Sequence, residues 1–86
     1  MPEYSVSYSR SAAKSFRSFH PQVQRRLKEA IEALASDPYP SGSIKILGGE
    51  GERRIRVGDY RIIYDVDDGR LLILVLSVGH RREVYR

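Results

Sequence analysis

From Arg53 onward the chain alternates. With a turn placed at Gly58-Asp59, residues Ile55, Val57, Tyr60, Ile62 and Tyr64 fall on one parity and Arg54, Arg56 and Arg61 on the other. A period of two is the pattern of a half-buried strand. The dipeptides Gly58-Asp59 and Asp68-Gly69 divide the stretch from Arg53 to Tyr85 into three strands joined as hairpins. A two-residue loop at Gly58-Asp59 sets Val57 opposite Tyr60, Arg56 opposite Arg61 and Ile55 opposite Ile62. A two-residue loop at Asp68-Gly69 sets Arg61 opposite Leu76 and Ile63 opposite Leu74, a register that slips if Asp67 joins the loop. Leu71 to Val78 is apolar at seven of eight positions, which predicts a central strand covered on both faces. Gly79 then allows a bend, after which the C-terminal HRREVYR folds back over the arginine face.

The first half of the chain has a different period. Tyr4, Val6 and Tyr8 alternate with Ser5 and Ser7, predicting a first strand over Glu3 to Tyr8. Ser9 can cap a helix in which Ala12, Ala13, Phe16 and Phe19 recur at helical spacing while Arg10, Lys14 and Arg17 take another side. His20-Pro21 breaks it, and Pro21 opens a second helix with Val23, Leu27, Ala30, Ile31 and Leu34 inward. Asp37-Pro38 stops that one. Ser36 to Glu52 is rich in Pro, Gly and Ser and reads as loop with a short strand at Ile44 to Leu47. Its glycines lack the Lys-Ser or Lys-Thr and the helix of a phosphate loop. The expected fold is α+β, a two-helix hairpin packed on a mostly antiparallel sheet of about four strands, as one domain over residues 1–86.

Composition narrows the chemistry. Eighty-six residues without a cysteine exclude disulfides and thiolate metal sites, and His20 and His80 are too few for a zinc or iron centre, so no metal and no cofactor are expected. Fifteen basic against eleven acidic residues give a net charge of +4, which favours an anionic partner. No stretch has the length of a signal-peptide core or a membrane span, so a cytoplasmic location is expected.

Arg54, Arg56 and Arg61 on one surface are not something a fold requires, because like charges opposite each other cost a strand pair up to roughly 1 kcal/mol. A polyanion suits them, since a guanidinium offers a fixed fork of donors matched to phosphate oxygens. The plain alternatives are a protein-docking surface or a solvated face.

The run RIRVGDYRIIYDV followed by SVGHRREVYR, after the order strand, helix, helix, loop, resembles the signature of the RelE/ParE toxin superfamily. The resemblance spans nearly the whole chain. It implies the toxin of a type II toxin–antitoxin system, bound by a cognate antitoxin. Within the RelE branch it implies a metal-independent endoribonuclease that cuts mRNA in the ribosomal decoding site, in contact with ribosomal RNA. Arg54 and Arg56 match the first basic pair of that branch, Arg61 its phosphate-contacting arginine, and Arg81 and Tyr85 its later catalytic pair. His80 stands where relatives carry a basic residue. Two other readings are a ParE-like inhibitor of DNA gyrase and a non-catalytic, antitoxin-binding member of the same fold.

The reaction implied is attack of the ribose 2′-hydroxyl on the neighbouring phosphate, leaving a 2′,3′-cyclic phosphate and a 5′-hydroxyl. Arg61 and Arg56 would clamp the phosphate and Arg54 would position substrate. Tyr85, its phenolate favoured by surrounding cations, would act as base, and Arg81 would face the leaving oxygen. His80 is the alternative proton carrier. Taken plainly, Tyr85 is a packing residue, His80 a turn residue, and Tyr60 and Tyr64 are core. An exposed apolar groove beside Leu72 and Leu74 would suit an antitoxin helix or strand.

Overall fold

The computed structural model describes residues 3–80. In chain order the elements are β1 (Ser5–Tyr8), α1 (Arg10–Ser18), α2 (Pro21–Ser36), β2 (Ile44–Lys45), β3 (Arg53–Val57), β4 (Tyr60–Asp67) and β5 (Leu72–His80). The strands form one sheet in the order β1-β5-β4-β3-β2, with β1 parallel to β5 and every other pair antiparallel. The expectation of about four strands becomes five because Ile44 and Lys45 pair with Arg54 and Arg53.

Local chemistry sets the helix boundaries. The Ser9 hydroxyl accepts the Ala12 N–H at 3.0 Å and donates to the Leu76 carbonyl at 2.8 Å, so one side chain both caps α1 and ties its start to β5. His20 caps α2 in turn, its Nδ1 accepting the Gln22 N–H at 3.1 Å, with Pro21 in the first turn where a missing N–H costs nothing. The break between the helices therefore needs no long loop. Ala12, Leu27, Ile31 and Leu34 from the helices meet Ile62, Tyr64, Ile73, Val75 and Val78 of the sheet in one buried core. Each large side chain so buried contributes about 1.5–3 kcal/mol. Among the described residues no helix is long and apolar enough to cross a membrane.

The first hairpin has the register that its two-residue loop dictates, with Arg56 opposite Arg61 and Ile55 opposite Ile62. The second does not. Arg61 faces Gly79 and Ile63 faces Ser77, in place of Leu76 and Leu74. Two causes add. The loop runs over residues 68–71, because Leu71 adopts a left-handed φ of 52° and Asp67 pairs with Leu72 while its carboxylate accepts the Arg70 N–H at 3.1 Å. A bulge between Ile63 and Tyr64 then leaves Leu76 without an opposite residue. The Ser9 hydroxyl occupies the Leu76 carbonyl at that point. Gly79 makes no bend. It lies inside β5, which continues to His80. The expected return of the C-terminal segment over the sheet lies outside the described residues.

Gly58 has φ +61° in the first turn, and a Cβ there would sit 3.0 Å from an Arg26 guanidinium nitrogen. Gly58→Ala is expected to lower the unfolding free energy in urea by about 1–2 kcal/mol, the cost of left-handed backbone for a residue with a Cβ. Gly42→Ala is the control, since nothing lies within 4 Å of its added Cβ and its φ is not left-handed. Equal stability of the two variants would show that the turn conformation does not hold the hairpin.

Candidate functional site

Side chains alternate across a strand, so each residue opposite the helix-covered set points to the other surface. Ile62 and Tyr64 are buried beneath the helices. Arg61 and Ile63 consequently lie on the far face, together with Arg56 opposite Arg61, Arg54 opposite Ile63, and Ile44 opposite Arg54. There a groove of about 440 Å³ is lined by Gly42, Ile44, Arg54, Arg56 and Arg61. Arg56 is exposed, while Arg54 and Arg61 are half-buried and make further interactions within the chain. Partial burial strengthens the field of a guanidinium on an anion, because less water screens it. Three of the arginines expected at the site thus share one cavity.

The other expected site residues fall differently. His80 is opposite Tyr60 in the β4–β5 pair, and their rings lie 5.7 Å apart, edge to face. Phe19 meets the same Tyr60 ring at 5.2 Å. His80 therefore sits on the helix-covered side with two aromatic rings, and the structure does not bring it to the arginine groove. Arg81 and Tyr85 lie outside the described residues. Leu72 and Leu74 share the arginine-bearing face and are half-buried.

One wall of the groove is held by a polar chain that the sequence reading missed. Ser43 sits between Gly42 and Ile44 and is 8% exposed. Its hydroxyl accepts Arg53 Nε–H at 2.7 Å, and its carbonyl accepts Arg53 Nη2–H at 3.1 Å. The buried Tyr64 hydroxyl donates to the Pro38 carbonyl at 2.8 Å, so the 2.5 Å contact between Ser43 Oγ and Tyr64 Oη is a bond that Ser43 donates. Arg53 also lies 5.0 Å from the Tyr39 ring centroid, a cation–π distance. Arg53 is thus a bracket for the 38–43 segment and not a fourth groove cation. Its parity is the signal that would have found it: it falls in series with Ile55 and Val57, where a cation requires a partner.

The bracket extends to the β4–β5 loop. Asp68 accepts hydrogen bonds from Tyr39 Oη at 2.7 Å and Tyr4 Oη at 2.5 Å. These two donors hold the Asp68 carboxyl below its ordinary value, while the hydrogen bond to that anion pushes Tyr39 up to about 12 and raises Tyr4 as well. Nothing in the sequence pairs Tyr4 with Asp68, since 64 positions separate them.

A family model for the ParE toxin of the type II toxin–antitoxin system parDE matches residues 6–85. The chain is 28% identical over 85 residues to the protein of Escherichia coli K12 named mRNA interferase toxin RelE, covering 95% of this chain and 90% of that one. It superposes on the archaeal RelE–RelB complex from Pyrococcus horikoshii OT3 with a TM-score of 0.79 at 30% identity, covering 94% of this chain and 97% of that one. For the intact E. coli RelBE toxin–antitoxin complex the TM-score is 0.80 at 25% identity, with 90% and 95% covered.

The linkage signs of the tyrosine–carboxylate cluster differ. Tyr39 is raised, so its contribution to stability is complete below the ordinary tyrosine value of 10.0 and disappears as pH rises through about 12. Asp68 is lowered, so its contribution is complete above 3.8 and disappears as pH falls through its depressed value. Tyrosinate absorbance should show a tyrosine ionising near 12 in the native chain, moving down toward the ordinary value in Asp68→Asn. Superimposable titrations of the two proteins would mean that the carboxylate does not hold these hydroxyls.

Proposed function

The chain belongs to the ParE toxin family of type II toxin–antitoxin systems, and from that membership and the groove on its sheet we propose that this toxin is an endoribonuclease cutting mRNA. The observation that carries the reading is the convergence of Arg54, Arg56 and Arg61 on one groove. The name of the 28% identical E. coli relative, an mRNA interferase, supports it.

In the proposed reaction the 2′-hydroxyl attacks the adjacent phosphorus as the bond to the 5′-oxygen breaks, giving a 2′,3′-cyclic phosphate and a 5′-hydroxyl. Arg56 and Arg61 hold the non-bridging oxygens, whose charge grows in the transition state, and Arg54 fixes the neighbouring backbone. Tyr85 takes the 2′-hydroxyl proton, and Arg81 stabilises the leaving 5′-oxygen while that oxygen takes a proton from water to become the 5′-hydroxyl. His80, packed beside Tyr60 on the opposite face, has no step assigned to it. Substrate is mRNA in the ribosomal decoding site, which places the protein in the cytoplasm and against ribosomal RNA. Its second partner is a cognate antitoxin, as in the RelE–RelB and RelBE complexes whose toxins share its fold.

The second reading is a ParE-like inhibitor of DNA gyrase, since the matching family is that of the ParE toxin. Mapping RNA 5′ ends after brief induction separates the two: cuts within translated codons are expected, and a DNA damage response without cuts supports gyrase. Arg61→Ala and Tyr85→Phe should keep the wild-type circular dichroism spectrum and lose toxicity. Cleavage should fall by about 10²–10³-fold for the lost electrostatic donor and about 10²–10⁴-fold for the lost proton acceptor. Full toxicity of both variants would refute the assignment.

A further inference from the structure

The groove has two chemically different sides. Arg56 and Arg61 occupy one, at the β3–β4 pair, and Gly42 and Ile44 occupy the other, at the sheet edge. Ile44 is 53% exposed, although it lies in a strand and opposite Arg54. An anion site has no use for an apolar side chain left half in water, whereas a ligand with both a phosphate and a flat apolar face does. Neighbouring strands lie about 4.8 Å apart and residues rise about 3.3 Å along a strand, so Ile44 on β2, in line with Ile63 on β4, stands roughly 12 Å from Arg61. That is the scale on which a nucleotide separates its phosphate from the far edge of its base.

The wall is also built to stay in place. Ser43, between the two lining residues, is anchored by its bonds with Arg53 and Tyr64, its hydroxyl used as both acceptor and donor, and Tyr64 is held in turn by the Pro38 carbonyl. A pre-fixed surface selects between ligands better than one that adapts, because it gives no relaxation to a poor fit. On the Gly42 side, a Cβ would meet nothing within 4 Å, so that stretch of the groove is open space.

We infer that Gly42 and Ile44 form the base-contacting wall of the groove and set which nucleotide is accepted beside the scissile phosphate, while the arginines hold the backbone without regard to sequence. This rests on the nuclease reading and names its specificity determinants. Guanidinium–phosphate contacts position a nucleic acid but carry no sequence information. Selection must come from groups that meet the base, and in this groove the two residues without charge are Gly42 and Ile44.

The test compares wild type, Ile44→Ala, Gly42→Trp and Arg61→Ala on ribosomes programmed with a defined mRNA, mapping each 5′ end and its flanking bases. Ile44→Ala should change the relative use of cut sites by on the order of tenfold, the effect of altering an apolar pocket. Gly42→Trp should keep the wild-type melting temperature, since an added Cβ there meets nothing within 4 Å, yet cut more slowly and with a changed base preference. Arg61→Ala should slow all sites alike and leave the preference unaltered. If both wall variants cut with wild-type rate and preference while Arg61→Ala is inactive, the wall inference is overturned and the nuclease reading stands. The same holds if Ile44→Ala alters only the affinity for the antitoxin. A wild-type chain that makes no cuts overturns both.

Discussion

The two-residue turn at Gly58-Asp59 is the constraint on which the rest depends. Its left-handed glycine joins β3 to β4 with Arg56 opposite Arg61, and a slip of one residue would turn the arginines toward the helices and Ile62 and Tyr64 toward water. The hydrophobic face and the cationic face are therefore a single choice of register. Placing like charges opposite each other costs roughly 1 kcal/mol. Burying Ile62 and its neighbours Ile73 and Val75 contributes about 1.5–3 kcal/mol each, so the core wins and the arginines are held together by packing on the opposite side of the same strands.

A second set of contacts fixes what the turn does not reach. The 38–44 segment is mostly loop, yet Arg53, Ser43, Tyr64 and Tyr39 pin it against the sheet, and Asp68 joins it to the N-terminal strand region through Tyr4. A loop pinned in this way can serve as a rigid wall of the groove. The tie is electrostatic at its outer end, where two phenols serve one carboxylate, and polar but buried at its inner end, where Tyr64 has its hydroxyl satisfied on both sides. Unsatisfied, that hydroxyl would cost the core about 1–3 kcal/mol.

Much of this was legible in the sequence for a physical reason: local rules govern it. The period of two, the Gly-Asp turn, the Ser9 cap and Pro21 each act over a few residues, and they correctly placed both helices, the first hairpin and the arginine triad. What was not legible depends on distant partners. The second hairpin slipped because Leu71 entered the loop and Leu76 bulged to meet Ser9, 67 positions earlier in the chain. That same bulge, with β5 running straight through Gly79, put His80 with Tyr60 instead of with the arginines. Arg53 looked like one more cation in a basic run, and only its contact with Ser43 reveals a structural part.

The claim that the groove is a phosphate site is tested most directly by the salt dependence of binding to a single-stranded RNA oligonucleotide. Each phosphate neutralised contributes about 0.7 to the slope of log affinity against log salt. Arg56→Ala and Arg61→Ala should each make the slope shallower by about that amount, whereas Arg25→Ala, on an exposed position of α2, should leave it unchanged. Identical slopes for all four proteins would contradict the account.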